Sequence, residues 1–208
     1  KIQDKEIIII DNGSSDGSVE IINTFKDHKD VIIFLKKKNT GYGNSIIKGF
    51  ELSSGKYVYI QYADLEYDQN SVFEMYKISE NYNLDAVFGS RFKNQIKLSS
   101  NLLKILIDRP SYLATFICTF LINFFYDKNF KDIIGGKFYK LESVKKINFD
   151  SKGPGFDFEF VSKLCKYSFK IGEVFVKYIP RENSKEKKIK PYHMINALYQ
   201  IFKVKFFN

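Results

Sequence analysis

Residues 6–18 read EIIIIDNGSSDGS. Four isoleucines follow Glu6 without polar alternation, the pattern of a strand covered on both faces. A polar turn follows, with Gly13 and Gly17 supplying bends and Asp16 or Ser18 available as a helix N-cap. Val19–Phe25 then carries apolar residues at helical spacing. A buried strand that feeds a helix through a polar turn is the opening of an α/β unit.

The unit recurs outward along the chain. Val31–Leu35 (VIIFL) is a second apolar strand, and the loop KKKNTGYG leads to a helix bearing Ile46, Ile47 and Phe50 and closed by Gly55. Lys56–Tyr62 is a third strand, Ser71–Glu80 a helix, and Asp85–Gly89 a short fourth strand. This alternation predicts an α/β domain with a mostly parallel central sheet flanked by helices. From about Ser99 the rhythm changes. Asn101–Ile107 and Tyr112–Phe125 read as helices, Lys137–Lys140 as a strand, Asp157–Tyr167 as a helix and Lys170–Tyr178 as a strand. Pro191–Phe207 mixes apolar and basic residues at helical spacing. No stretch has linker composition. One domain over 1–208 is expected, with a first half 1–98, a second half 99–190 and a basic aromatic C-terminal helix 191–208.

The 208 residues are 44% hydrophobic and 17% aromatic, enough for a sizeable core and unlike a disordered chain. Cys118 and Cys165 are too few for a disulfide framework and lack metal-ligand spacing, which favours a reducing compartment. The longest apolar run, Tyr112–Tyr126, is short of a bilayer span and reads as a buried or interfacial helix. The net charge of +9 favours an anionic partner: a phosphate-bearing substrate, a membrane surface or nucleic acid. No nucleic-acid motif accompanies the lysine excess, so nucleic acid is not expected as a partner.

In open α/β sheets, ligands bind beyond the carboxyl ends of the strands. Three polar clusters fall there: 11–18, 39–43 and 64–68. Asp11 and Asn12 are acceptors at a strand tip, suited to ribose hydroxyls or a base edge, and the helix start nearby suits phosphate. Gly13–Gly17 also fits G-x-S-x-G, but a hydrolase would need a placed histidine, and the chain has only His28 and His193. Asn39–Gly43 contains G-x-G, yet position 46 is Ile, so no dinucleotide fingerprint is present. Asp64 and Glu66 stand two apart just past a strand. If the chain stays extended, both point to one side and suit Mg²⁺ or Mn²⁺ on a diphosphate. Arg91, Arg109 and Arg181 are the only arginines against thirty lysines, which fits either bidentate phosphate recognition or structural ion pairs.

Read together, EIIIIDNGSSDGS, KKNTGYGNSIIKGFELSSGKYVYI, QYADLEYD, DAVFGSRF, GPGFDFEF and IPRENSKEKKI resemble a family 2 glycosyltransferase of GT-A fold, in particular the dolichyl-phosphate mannose and glucose synthase branch. The resemblance runs over roughly residues 6–203, in order. It implies that Asp11, Asn12 and Asp16, with Asn39, Gly41 and Gly43, line the site of a UDP- or GDP-sugar. It implies that Asp64 is the second acid of a D-x-D metal and diphosphate motif, with Glu66 as a further ligand of Mg²⁺ or Mn²⁺. Arg91, in the G-S-R-F segment, would lie near phosphates or acceptor. Asp132 would be an acceptor-side general base, Asp157 and Glu159 an acidic pair facing the site, and Arg181, Lys187 and Lys188 a basic stretch meeting phosphate. The implied chemistry is inverting sugar transfer, with a polyprenyl phosphate as acceptor, by a protein peripheral to the cytoplasmic membrane face. The chain departs from the pattern in four places. Tyr62 stands at the first acid of D-x-D. Glu186 and His193 stand where Gly and Asp are expected. The segment 132–137 matches only with a one-residue gap. The family's first strand and helix, expected ahead of residue 6, lie outside the sequence, which therefore reads as a fragment. The alternative implied by Tyr62 is a non-catalytic relative that binds a lipid phosphate or a protein.

Overall fold

The computed structural model describes residues 4–92, 110–180 and 193–207. The expected helix 101–107 and Arg109, Arg181, Glu186, Lys187 and Lys188 lie outside them. The described chain forms β1 (Ile7–Asp11), α1 (Ser18–Asn23), β2 (Val31–Leu35), α2 (Tyr42–Leu52), β3 (Tyr57–Ile60), α3 (Ser71–Tyr82), β4 (Ala86–Ser90), α4 (Pro110–Tyr126), β5 (Gly136–Lys140), α5 (Leu141–Val144), α6 (Phe156–Lys166), β6 (Ile171–Phe175) and α7 (His193–Phe206).

The strands form two sheets. β1 and β2 pair in parallel, Ile7 opposite Val31 through Asp11 opposite Leu35. The other sheet has the order β3-β5-β4-β6. Here β5 runs antiparallel to both β3 and β4, while β4 and β6 are parallel. The expectation of a mostly parallel sheet therefore holds for strand direction but not for pairing. β5 comes from the second half of the chain and inserts, reversed, between two strands of the first. Its reversal has a chemical consequence: its first residues lie beside the last residues of its neighbours, Lys137 opposite both Ile60 and Phe88. Among the described residues, the outer edges of β1 and β3 carry no strand. Glu6 helps bridge the sheets, its carboxylate accepting from the Ser54 and Gly55 amides at 2.8 and 3.0 Å, just ahead of β3.

The core explains the apolar runs. All of β4 is buried, whereas β1, the run expected to be covered on both faces, leaves Ile7 47% exposed and Ile8, Ile9 and Ile10 half-buried. Phe156, Phe160 and Leu164 of α6 pack with Tyr139 of β5, Phe50 of α2 and Ile201 of α7. Phe160 stacks on Tyr139 with centroids 4.6 Å apart. Cys118 and Cys165 are free thiols in the same core, both pushed up to about 12 by burial. No helix among the described residues is long and apolar enough to cross a membrane. α4 and α7 instead leave aromatic residues outside: Phe120 and Phe124 stack along α4, Phe202 and Phe206 along α7, and Phe125 meets both α7 rings.

Candidate active site

The loop after β1 is built around Asp11. Its buried carboxylate accepts from the Gly13 and Ser14 amides at 2.9 and 3.0 Å. Hydrogen bonding from Ser14, side chain first and then backbone, with Gly13, outweighs burial and holds the carboxyl below its ordinary value of 3.8. Asp11 thus shapes the turn. Gly13 has φ +81, and a Cβ there would lie 2.6 Å from the Lys38 carbonyl carbon, so the two loops touch through bare backbone. Asn12 completes the junction. Its amide donates to Asn39 Oδ1 at 2.9 Å, and its Oδ1 accepts from the Thr40 amide at 3.2 Å. Asn39 Oδ1 also accepts from Gly41 N at 2.9 Å. Sequence clusters 11–18 and 39–43 therefore form one surface. Asp16 is exposed and accepts from the Ser18 amide and hydroxyl, but the N-cap of α1 is Gly17, with φ +85, and not Asp16 or Ser18. Gly43 is buried against the Phe156 ring, where a Cβ would sit 2.8 Å away. That position serves helix packing.

Lys36, just past β2, was not singled out by sequence. Its ammonium donates to the hydroxyls of Thr40 and Ser45 at 2.9 and 3.0 Å, and burial lowers its pKa. It is a cation held at the strand tips by neutral partners.

Beyond β3 the chain does not stay extended. Leu65 has φ 61, and the Asp64 side chain accepts from the Glu66 amide at 3.1 Å. The two acids are splayed by this turn. Glu66 is buried and accepts from the Tyr178 hydroxyl at 2.8 Å. The expectation that Asp64 and Glu66 face one side is overturned by that positive φ. Tyr62 turns inward, and its hydroxyl receives Lys137 Nζ at 2.8 Å. Lys137 also forms an ion pair with Asp157 at 2.5 Å. Burial, then the charges of Asp157 and Asp64, push the Tyr62 phenol well above its usual range. The Tyr42 phenol is raised the same way, by burial first and then Asp157.

At the end of β4, Arg91 grips Asp132 with a fork: Nε to Oδ2 at 2.6 Å and a terminal nitrogen to Oδ1 at 3.0 Å. The Arg91 and Ile134 amides donate to the same carboxylate. Asp132 is 0% exposed and its carboxylate is taken up by four donors, which leaves it no open face toward an acceptor. Glu173 supports it from β6, accepting from the Asp132 and Lys131 amides at 2.8 and 2.9 Å. Burial raises the Glu173 carboxyl pKa. Asp157 and Glu159 do not act as a pair. Two residues apart on a helix, they face different directions. Glu159 binds Lys163 and the Asp150 and Ser151 amides.

The fit to a divalent metal can be tested on these contacts. A magnesium or manganese ion on a diphosphate takes only oxygen ligands, and the protein must turn one or two carboxylates toward it. Here Tyr62 is a neutral phenol bound to an ammonium, Glu66 serves Tyr178, and Asp157 serves Lys137. Among the described residues no group of three or more His, Cys, Asp or Glu converges in this way. The donor set lacks the carboxylate pair that the sequence pattern implies, and Lys137 adds a positive charge beside it. A cleft of about 500 Å³ lies at the other end of the sheet, lined by Gly55, Lys56, Lys140, Leu141, Glu142 and Lys145. Its lysines are held by Glu80, Glu142 and the Ser53 carbonyl, so it is no match for the strand-tip cluster as an anion site.

Residues 1–147 match the family model described as Glycosyl transferase family 2. The chain is 31% identical over 179 residues to an uncharacterized protein of Methanocaldococcus jannaschii, covering 82% of this chain and 75% of that one. It is 36% identical over 90 residues to the poly-beta-1,6-N-acetyl-D-glucosamine synthase of Staphylococcus aureus, covering 43% of this chain and 21% of the synthase. Among solved structures, S. aureus TarS 1–349 in complex with UDP-GlcNAc aligns with TM-score 0.55 at 13% identity, over 97% of this chain and 63% of TarS. The mannosyltransferase PcManGT from Pyrobaculum calidifontis, in complex with GDP-Man and Mn²⁺, aligns with TM-score 0.53 at 11% identity, over 96% of this chain and 60% of that one. The two solved relatives share the fold, and this chain spans less than two thirds of each. A GT-A-like α/β fold, two polar loops joined at the strand tips and a family model over residues 1–147 lead to one assignment: the chain belongs to glycosyl transferase family 2.

Proposed function

We propose that this chain is a single catalytic domain that moves a sugar from a UDP- or GDP-sugar to an acceptor. The observation that carries the reading is the joining of loops 11–18 and 39–43 through Asn12 and Asn39, with Lys36 beside them, at the carboxyl ends of β1 and β2. That surface offers amide and carboxamide groups to a nucleoside and a cation to its phosphates. The acceptor oxygen attacks the anomeric carbon, and the bond to the diphosphate breaks with its electron pair leaving on the diphosphate. Arg91 lies on the acceptor side, oriented by Asp132. Asp132 is sealed by Arg91 and Asp157 is paired with Lys137, so the base role of either rests on resemblance alone. Arg181, Lys187 and Lys188 remain assigned to phosphate by resemblance alone.

The proposed acceptor is a polyprenyl phosphate, already an oxyanion and so in little need of a base. The exposed phenylalanines of α4 and α7 support a place at a membrane surface. The proposed location is peripheral, at the cytoplasmic face. A radiolabelled transfer assay with UDP- and GDP-sugars, and polyprenyl phosphate in anionic vesicles, tests the reading. Labelled lipid is the expected product. Absence of transfer together with absence of nucleotide binding overturns it. The contact between Lys137 and Tyr62 favours a second reading, a non-catalytic relative, in which lipid phosphate binds and no donor is consumed.

A further inference from the structure

We propose that Lys137 closes the donor site to a divalent ion, so that the nucleotide diphosphate binds this chain without a metal requirement. The inference rests on the nucleotide-sugar reading above. Lys137 is 2% exposed and stands between the Tyr62 hydroxyl at 2.8 Å and Asp157 at 2.5 Å. So buried an ammonium persists only where it is paired and hydrogen-bonded. Its place follows from topology, because the reversed β5 delivers its first residues to the tips of β3 and β4. Tyr62 occupies the position where an acid would ligate, and its oxygen accepts from the ammonium. The charge of Asp64, two residues on, acts on the same phenol. A dication at Asp64 would meet a fixed positive charge in the same cluster and would lack the second carboxylate. Glu66 does not replace it, because the Leu65 turn sends it to Tyr178. Countercharge for the diphosphate is available from Lys36, whose partners are hydroxyls.

The test is a Mn²⁺ titration followed by electron paramagnetic resonance, paired with calorimetric titration of UDP and GDP in EDTA or in MnCl₂. The wild type should take up Mn²⁺ no tighter than about 1 mM, the weak limit of oxygen-ligand sites. The double variant Tyr62→Asp with Lys137→Met should bind it at least about tenfold tighter. Lys137→Gln, which keeps Tyr62, should also gain uptake, and circular dichroism confirms that each variant is folded. Nucleotide affinity of the wild type should agree within about twofold between EDTA and MnCl₂. Wild-type uptake well below millimolar, a nucleotide affinity that rises about tenfold with Mn²⁺, or folded variants that gain nothing would each overturn the inference. If neither nucleotide binds under any condition, the donor reading fails, while the Mn²⁺ titrations still decide the role of Lys137.

Discussion

Leu65 shows how one dihedral changes the chemistry of a motif. The i, i+2 spacing of Asp64 and Glu66 is plain in the sequence, but a left-handed leucine is not, and it sends the two carboxylates apart. Leu65 is 88% exposed, so its side chain contributes little packing to offset that conformation. Leu65→Gly should raise stability by about 0.5 kcal/mol, the left-handed penalty less the extra chain entropy of glycine, measured by urea unfolding. Asp11 is the opposite case: its type and place were legible, its work was not. Read as a nucleoside contact, it spends its carboxylate on the Gly13 and Ser14 amides. Because its folded pKa is depressed, its contribution is present above the ordinary value of 3.8 and is lost as pH falls through the folded value. Asp11→Asn should cost about 1 kcal/mol at pH 7, and the gap from wild type should close below about pH 4, read from unfolding curves across pH. Lys137 had a faint signal: a lysine set between Gly136 and Phe138 at the start of a strand. Nothing in one sequence says that its partner is Tyr62, because their contact spans 75 residues.

At the scale of elements, apolar runs were reliable guides. VIIFL is β2 residue for residue, and DAVFG differs from β4 by a one-residue shift. Periodicity located α2, α3, α4, α6 and α7 to within a few residues. The third strand was read too long. Its ladder ends at Ile60, since Tyr62 leaves it for Lys137. The four-residue α5 went unseen, because one turn carries no period. The run Tyr112–Tyr126 reads as buried or interfacial, and α4 is buried on one face: Cys118 and Ile122 face the core while Phe120 and Phe124 face out. That outward stripe belongs with the proposed membrane contact. Phe120→Ser with Phe124→Ser should leave the fold intact, since both rings are exposed, and should weaken binding to anionic vesicles at least about tenfold in a flotation assay. Binding equal to wild type would remove α4 from the contact.

Across the whole molecule, the alternation of elements identified an α/β fold but not the direction of β5, because five residues read the same way up or down. That reversal makes β5 the hub, paired on both edges, whereas β1 is paired only to β2 among the described residues. Hydrogen exchange should follow this order. Amides of β5 should exchange the slowest, and those of β1 and β2 at least about tenfold faster, as resolved by mass spectrometry. The two core thiols extend the same logic to a chemical readout. Cys118 on α4 and Cys165 on α6 are buried in separate helices, with both pKa values at about 12, so neither forms an appreciable thiolate while the core is closed. A thiol-directed dye at neutral pH therefore labels them only through opening events. Two labelling rates, one per helix, would report whether α4 detaches from the core on its own or only when the whole molecule unfolds.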